Sequence, residues 1–212
     1  MENFGHFLKY IVKIFTPWHV AEISDESFYA LCCFAASGKT SEVLAAVDLD
    51  PRLANRKHNG RTLLTSACCY SYDNPQLIEG LLKRGSDIHA RSKDGYDALM
   101  FASSRGNFDV CTILLDHGAD PNSASNDQLG CALYHACYHG RLDVAVLLIL
   151  RGANLMLIMK GDRIFYDIEK GDAEMTKEYS DTLKEVFDSV RKGEKEFLLS
   201  YQEILRRFRL RR

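Results

Sequence analysis

The feature that most constrains this chain is a repeat. Three glycine-centred phrases recur: "LKRGSDIHARSKDGYDALMFASSRG", "LLDHGADPNSASNDQLGCALYHACYHG" and "LLILRGANL". Gly85 and Gly118 are 33 residues apart, and Gly118 and Gly152 are 34 apart. The pairs Leu99/Leu133, Ala102/Ala136 and Gly106/Gly140 are each separated by 34. When independent positions agree on one period, the chain is a stack of similar units rather than one irregular core.

The residue types give the content of a unit. "ALMFASSRG" and "ALYHACYHG" place Leu at i, Ala at i+3 and Gly at i+7, which predicts a short helix buried on one side and ended by Gly. "NFDVCTILLDHG" and "RLDVAVLLILRG" predict a second apolar helix with the same ending. A polar stretch with Asp-Gly or Asn-Gly follows, a tight-turn signal. Such a helix pair cannot bury its apolar face alone, so units must stack.

The stretch "DGYDALMFASSRGNFDVCTILLDHGADPN", Asp94 to Asn122, resembles the ankyrin repeat. The likeness lies in "GADPN" and in the spacing of Leu99, Ala102, Gly106, Val110, Leu114 and Leu115. In "NGRTLLTSACC" Thr62 fits the pattern, while Leu63 stands for the usual Pro and Thr65 for the usual His. Asn74-Pro75 reads as an N-cap followed by Pro at the first helical position. Tyr134 stands at the His position of the next repeat, whose finger is one residue longer. The expected fold is all-α: an α-solenoid of stacked helix-turn-helix repeats with short β-turn fingers and an extra helix at each end. The expected divisions are an amphipathic capping helix at 1–23, an array at 24–190 and a basic helix at 191–212. Within the array the repeats fall at 24–56, 57–91, 92–124 and 125–158, with a degenerate cap at 159–190.

The segment "SGKT", Ser37 to Thr40, imitates the end of a nucleotide-binding P-loop. That motif needs Gly five residues before the Gly of Gly-Lys-Thr, and Cys33 is there instead. Leu31 to Gly38 is seven residues, as are Leu99 to Gly106 and Leu133 to Gly140. Gly38 is therefore expected to be the inter-helix turn of a degenerate first repeat.

Residues Cys131, His135, Cys137 and His139 are the densest reactive cluster. On a helix His135 and His139 share a face and Cys137 points away, so convergence on a metal is not expected. Cys68 and Cys137 fall in the slot of Ser103, a small buried position. No catalytic spacing stands out, and neither an enzyme nor a cofactor is expected. Seven cysteines, an odd number, fit reduced thiols and an intracellular chain, cytoplasmic or nuclear. The net charge of −2 gives no global drive toward nucleic acid or anionic membrane.

The resemblance implies a protein-interaction module, an adaptor or scaffold that binds through the concave face of the array. Its variable positions carry over to Arg61, Ser66 and Tyr70, to Tyr96, Phe101 and Arg105, and to His135, Tyr138 and His139. Aromatics and arginines are enriched in interface hot spots. Arg61 and Arg105, with two histidines, point to a partner segment of acidic character, tempered by Asp94 and Asp97. The chain is expected to act as a monomer. The alternative is a peripheral tether on a membrane or another anionic surface, acting through the terminal amphipathic helices, with Arg206, Arg207, Arg209, Arg211 and Arg212 as its cations. Specific nucleic-acid binding is not expected, because clustered arginines without a folded reading head bind non-specifically.

Overall fold

The computed structural model describes residues 24–69, 74–125, 130–155 and 177–192. The expected N-terminal helix, Tyr70, most of the degenerate cap and the tail arginines Arg206, Arg207, Arg209, Arg211 and Arg212 lie outside the described residues.

Helices come in pairs: α1 (Asp25–Ala36) with α2 (Thr40–Leu49), α3 (Leu63–Cys69) with α4 (Pro75–Lys83), α5 (Ala98–Arg105) with α6 (Phe108–Asp116), and α7 (Ala132–Tyr138) with α8 (Leu142–Leu150). A short 3-10 turn spans Pro51–Ala54, and α9 (Lys177–Lys192) follows. Among the described residues no strand forms. The first helices α1, α3, α5 and α7 pack in series as one layer, and the second helices α2, α4, α6 and α8 form the other. This is the all-α solenoid that the repeat predicts. α9 lies against α8 and buries Val186 and Phe187.

Local chemistry starts each first helix. Asp97 caps α5 by accepting from the Met100 amide at 2.9 Å. At α3 the cap is reciprocal: the Thr65 amide donates to Thr62 Oγ1 at 3.3 Å, and the Thr62 amide donates to Thr65 Oγ1 at 2.8 Å. Thr65, which departs from the family's His, thus completes a capping box with a hydroxyl in place of the usual Glu. The core runs through both layers. Leu99, Leu114, Leu133 and Leu147 are buried, as are Ala102 and Ala136, where a small residue lets neighbouring helices approach.

The turn at Gly38 answers the P-loop imitation. Gly38 has φ of +75° between α1 and α2, a left-handed conformation that glycine adopts without strain. Its carbonyl accepts from Asn74 Nδ2 at 3.2 Å, and the same nitrogen donates to Thr40 Oγ1 at 2.8 Å. The hydroxyl that a P-loop would turn toward a metal is engaged by the next repeat. Asn74 also caps α4, accepting from the Leu77 amide at 3.1 Å, with Pro75 at the first helical position. One side chain therefore starts a helix and ties two repeats. Asn74→Ala is expected to cost about 1–2 kcal/mol, the range of a lost cap. Urea denaturation with an unchanged midpoint would show that neither contact stabilises the fold.

Asparagines further along repeat this stapling. Asn55 donates to the Gly85 carbonyl at 2.8 Å and accepts from the Asp87 amide at 2.6 Å. Asn122, the last residue of "GADPN", does the same to Gly152 and Asn154, at 3.1 and 2.7 Å. Between them Arg91 takes over, donating to the Ala124 carbonyl at 2.5 Å and to Ser123 Oγ at 2.7 Å. These contacts fix how far the fingers lie from one another, which sets the spacing of the residues they carry.

Candidate interaction face

Two fingers are fully described, and they use different turns. His58 and Arg61 exchange backbone hydrogen bonds of 2.9 and 3.0 Å around Asn59-Gly60, whose φ values are +51° and +79°. Positive φ at both central residues makes this a two-residue hairpin of the type that Asn-Gly favours. In the second finger the Ser92 amide donates to the Tyr96 carbonyl at 2.8 Å and the Gly95 amide donates to the Ser92 carbonyl at 3.1 Å. That is a three-residue loop with Gly95 at the left-handed position. The hairpins project Arg61 and Tyr96 onto the face formed by the first helices.

On that face the rings form a connected strip. The Arg61 guanidinium lies 5.5 Å above the Phe101 ring. Phe101 meets Tyr96 at 5.7 Å, and Tyr96 meets His135 edge-on at 5.0 Å. His135 stacks on His139 at 6.5 Å, and Tyr138 meets His139 edge-on at 5.1 Å. Tyr134 joins from the other side, stacked on Tyr138 at 5.9 Å. Of the nine residues carried over by the resemblance, six thus come together as one strip: Arg61, Phe101, Tyr96, His135, His139 and Tyr138. Phe101 has a double role, half-buried against the core and half presented outward. Tyr138 is 37% exposed, a large side chain turned to solvent at the end of α7.

The other three residues behave differently. Tyr70 is outside the described residues. Ser66 is only 3% exposed and lines a cleft together with Cys32, so a partner could touch it only at the bottom of that cleft. Arg105 is exposed but also structural: its Nε donates to the Cys69 carbonyl at 2.8 Å, tying α5 to the end of α3. Sequence reasoning missed Tyr134, whose half-buried ring extends the strip, because it stands at the family's His position rather than at one of the variable positions.

A cleft of about 310 Å³ opens at the other end of the face, bounded by α1, α3 and the two fingers. Tyr29, Cys33, His58, Arg61, Lys93 and Asp94 are among its lining residues, with Cys32 and Ser66 deeper. The sequence reading assigns no interaction residue to repeat one, yet its first helix α1 forms one wall of the cleft. The only signal was that His58 and Lys93 sit beside the Asn-Gly and Asp-Gly turn pairs.

The reactive residues have structural explanations. All seven cysteine thiols are free of disulfides. Burial pushes the Cys68 thiol well above its ordinary value, and the Cys137 thiol likewise. Both therefore act as small core residues rather than nucleophiles. Cys131 caps α7 through its sulfur, 3.4 Å from the Tyr134 amide. Among the described residues no three His, Cys, Asp or Glu side chains are placed to hold a metal, and no helix is long and apolar enough to cross a membrane.

His139 carries a pH signature. Desolvation, then the charges of Arg141 and Arg105, hold its pKa below the ordinary imidazole value. The unfolded chain then binds a proton more readily than the folded one, so stability is kept above about pH 6.5 and falls as the solution is acidified through that range. The melting temperature is expected to drop between about pH 7.5 and 5.5, and less so in His139→Gln. Equal drops in the two proteins would remove His139 from that dependence.

Comparison with known proteins agrees with this geometry. Residues 68–158 match the family described as ankyrin repeats in three copies. The human BCL-6 corepressor-like protein 1 is 35% identical over 123 residues, 57% of this chain and 7% of that protein. The ankyrin repeat and KH domain-containing protein mask-1 of Caenorhabditis elegans is 38% identical over 83 residues, 39% of this chain and 3% of the relative. The mouse B-cell lymphoma 3 protein homolog is 29% identical over 101 residues, 46% of this chain and 22% of the relative. The matched segment thus spans less than a quarter of each of these relatives. The paired helices, the hairpin fingers and the matched segment agree: residues 68–158 of this chain match ankyrin repeats.

Proposed function

We propose that the chain is an adaptor or scaffold that holds a partner protein on the first-helix face. Ankyrin repeats are in general protein-interaction modules. The observation that carries the reading for this chain is the connected strip from Arg61 to Tyr138, contributed by two fingers and two first helices. Rings that mainly pack a core are enclosed on all sides. These are half-buried or exposed and lie next to one another, which preorganises a contact surface. The reading includes a monomeric chain acting inside the cell, in the cytoplasm or the nucleus.

The test uses a partner captured from native extract. Tyr138→Ala is expected to weaken its binding by about 1 kcal/mol or more, roughly fivefold, with the melting temperature nearly unchanged. Arg105→Ala should weaken binding similarly, but with some loss of stability because the Cys69 carbonyl loses its donor. Unchanged affinity in both variants would move the site off this face.

A further inference from the structure

We propose that the cleft bounded by α1, α3 and the first two fingers anchors a carboxylate side chain of an acidic peptide segment. The inference rests on the interaction-face reading and specifies what one end of that face takes. The cations at the cleft are placed by packed backbone. Gly60 lies so close to the second finger that an added Cβ would sit 2.6 Å from the Lys93 amide nitrogen. The fingertip bearing Arg61 is thereby held against the one bearing Lys93, and the two charges border one opening. The Arg61 guanidinium carbon lies 5.5 Å from the centre of the Phe101 ring, and its N–H groups are donors arranged in a planar fork. That fork matches a carboxylate bidentately.

Further groups suit the same occupant. Ser66 places a hydroxyl deep in the cleft. His58 stands against the Tyr29 ring at 5.4 Å and hydrogen-bonds Asn59 Nδ2 at 2.9 Å, giving a wall that is part aromatic and part polar. Asp94 is the acidic residue among those lining the cleft. Its charge offsets one of the two cations, which favours a single carboxylate over a phosphate. The strip continues from Phe101 and Tyr96 toward α7, so a chain anchored here has apolar surface to lie along, which a free small acid could not use.

The probe is a capped heptapeptide of alanine and leucine bearing two glutamates, titrated at low salt into the isotope-labelled full chain and followed by NMR. The expected result is movement of the Arg61, Ser66 and Lys93 amides and of Arg61 Nε–H. The glutamine twin should bind at least tenfold more weakly. Arg61→Gln combined with Lys93→Gln should abolish the preference, whereas Arg52→Gln, whose residue pairs with Asp50 elsewhere, should keep it. Arg61 is half-buried and Lys93 exposed, and Lys93→Gln alone should reduce the preference severalfold if the double variant folds poorly. Absent or scattered shifts, equal binding of the twin, or an unaffected double variant would overturn the proposal. So would free N-acetylglutamate binding as tightly as the peptide. If the cleft fails while Tyr138→Ala still weakens the captured partner, the interaction-face reading stands alone; if both fail, neither survives.

Discussion

Leu133→Ala is expected to cost about 2–5 kcal/mol, the range for deleting a fully buried Leu and leaving a cavity. Leu133 is 0% exposed and sits on α7, which packs against α5 on one side and α8 on another. The site cannot relax cheaply, because the fingers and turns on both sides are pinned by Arg91, Asn122 and the paired backbone. In a stacked array each unit depends on its neighbours, so the damage should reach α8 and α9 as well. Urea denaturation followed by circular dichroism measures the loss. A change within about 0.5 kcal/mol would mean that the helix register is wrong, since an exposed Leu costs little to truncate.

Gly60→Val has a comparably large expected effect, about 2–5 kcal/mol. Two penalties combine. The φ of +79° is a left-handed conformation, costing a non-glycine residue about 1–2 kcal/mol, more for a β-branched one. The Cβ would also meet the Lys93 amide nitrogen at 2.6 Å, backbone that cannot swing away, and overpacking of that kind costs roughly 1–3 kcal/mol. The fingertip must then separate from its neighbour, taking Arg61 away from Phe101. A melting curve and the Arg61 side-chain NMR signal would report both consequences. Gly118→Val is the control: φ is +89°, but nothing lies within 4 Å of an added Cβ, so only the conformational part applies. Equal losses at the two positions would show that finger-to-finger contact contributes nothing.

Periodicity made the core legible. Leu99, Leu114, Leu133 and Leu147 could be placed inside because a repeat of 33 to 34 residues superimposes equivalent positions, and a residue's side of a helix follows from its spacing. Gly38 was legible for the same reason, despite its P-loop neighbours. The face was only half legible. Spacing says which side of its own helix a residue occupies, but not how closely the next helix approaches. Ser66 therefore read as a surface position although α1 covers it, and Arg105 read as a free cation although it reaches a carbonyl 36 residues away. The cleft was invisible for a related reason. His58 and Lys93 are 35 residues apart in sequence and meet only because two differently built hairpins stack tip to tip.

Photocrosslinking distinguishes the first-helix face from the second-helix layer as the place where a partner sits. A benzophenone side chain placed at Tyr138 presents it from the first-helix face. One at Leu49, 53% exposed at the end of α2, presents it from the second-helix layer. With partner captured from native extract, an adduct is expected from position 138 and none from position 49. Adducts from position 49 and none from 138 would contradict it.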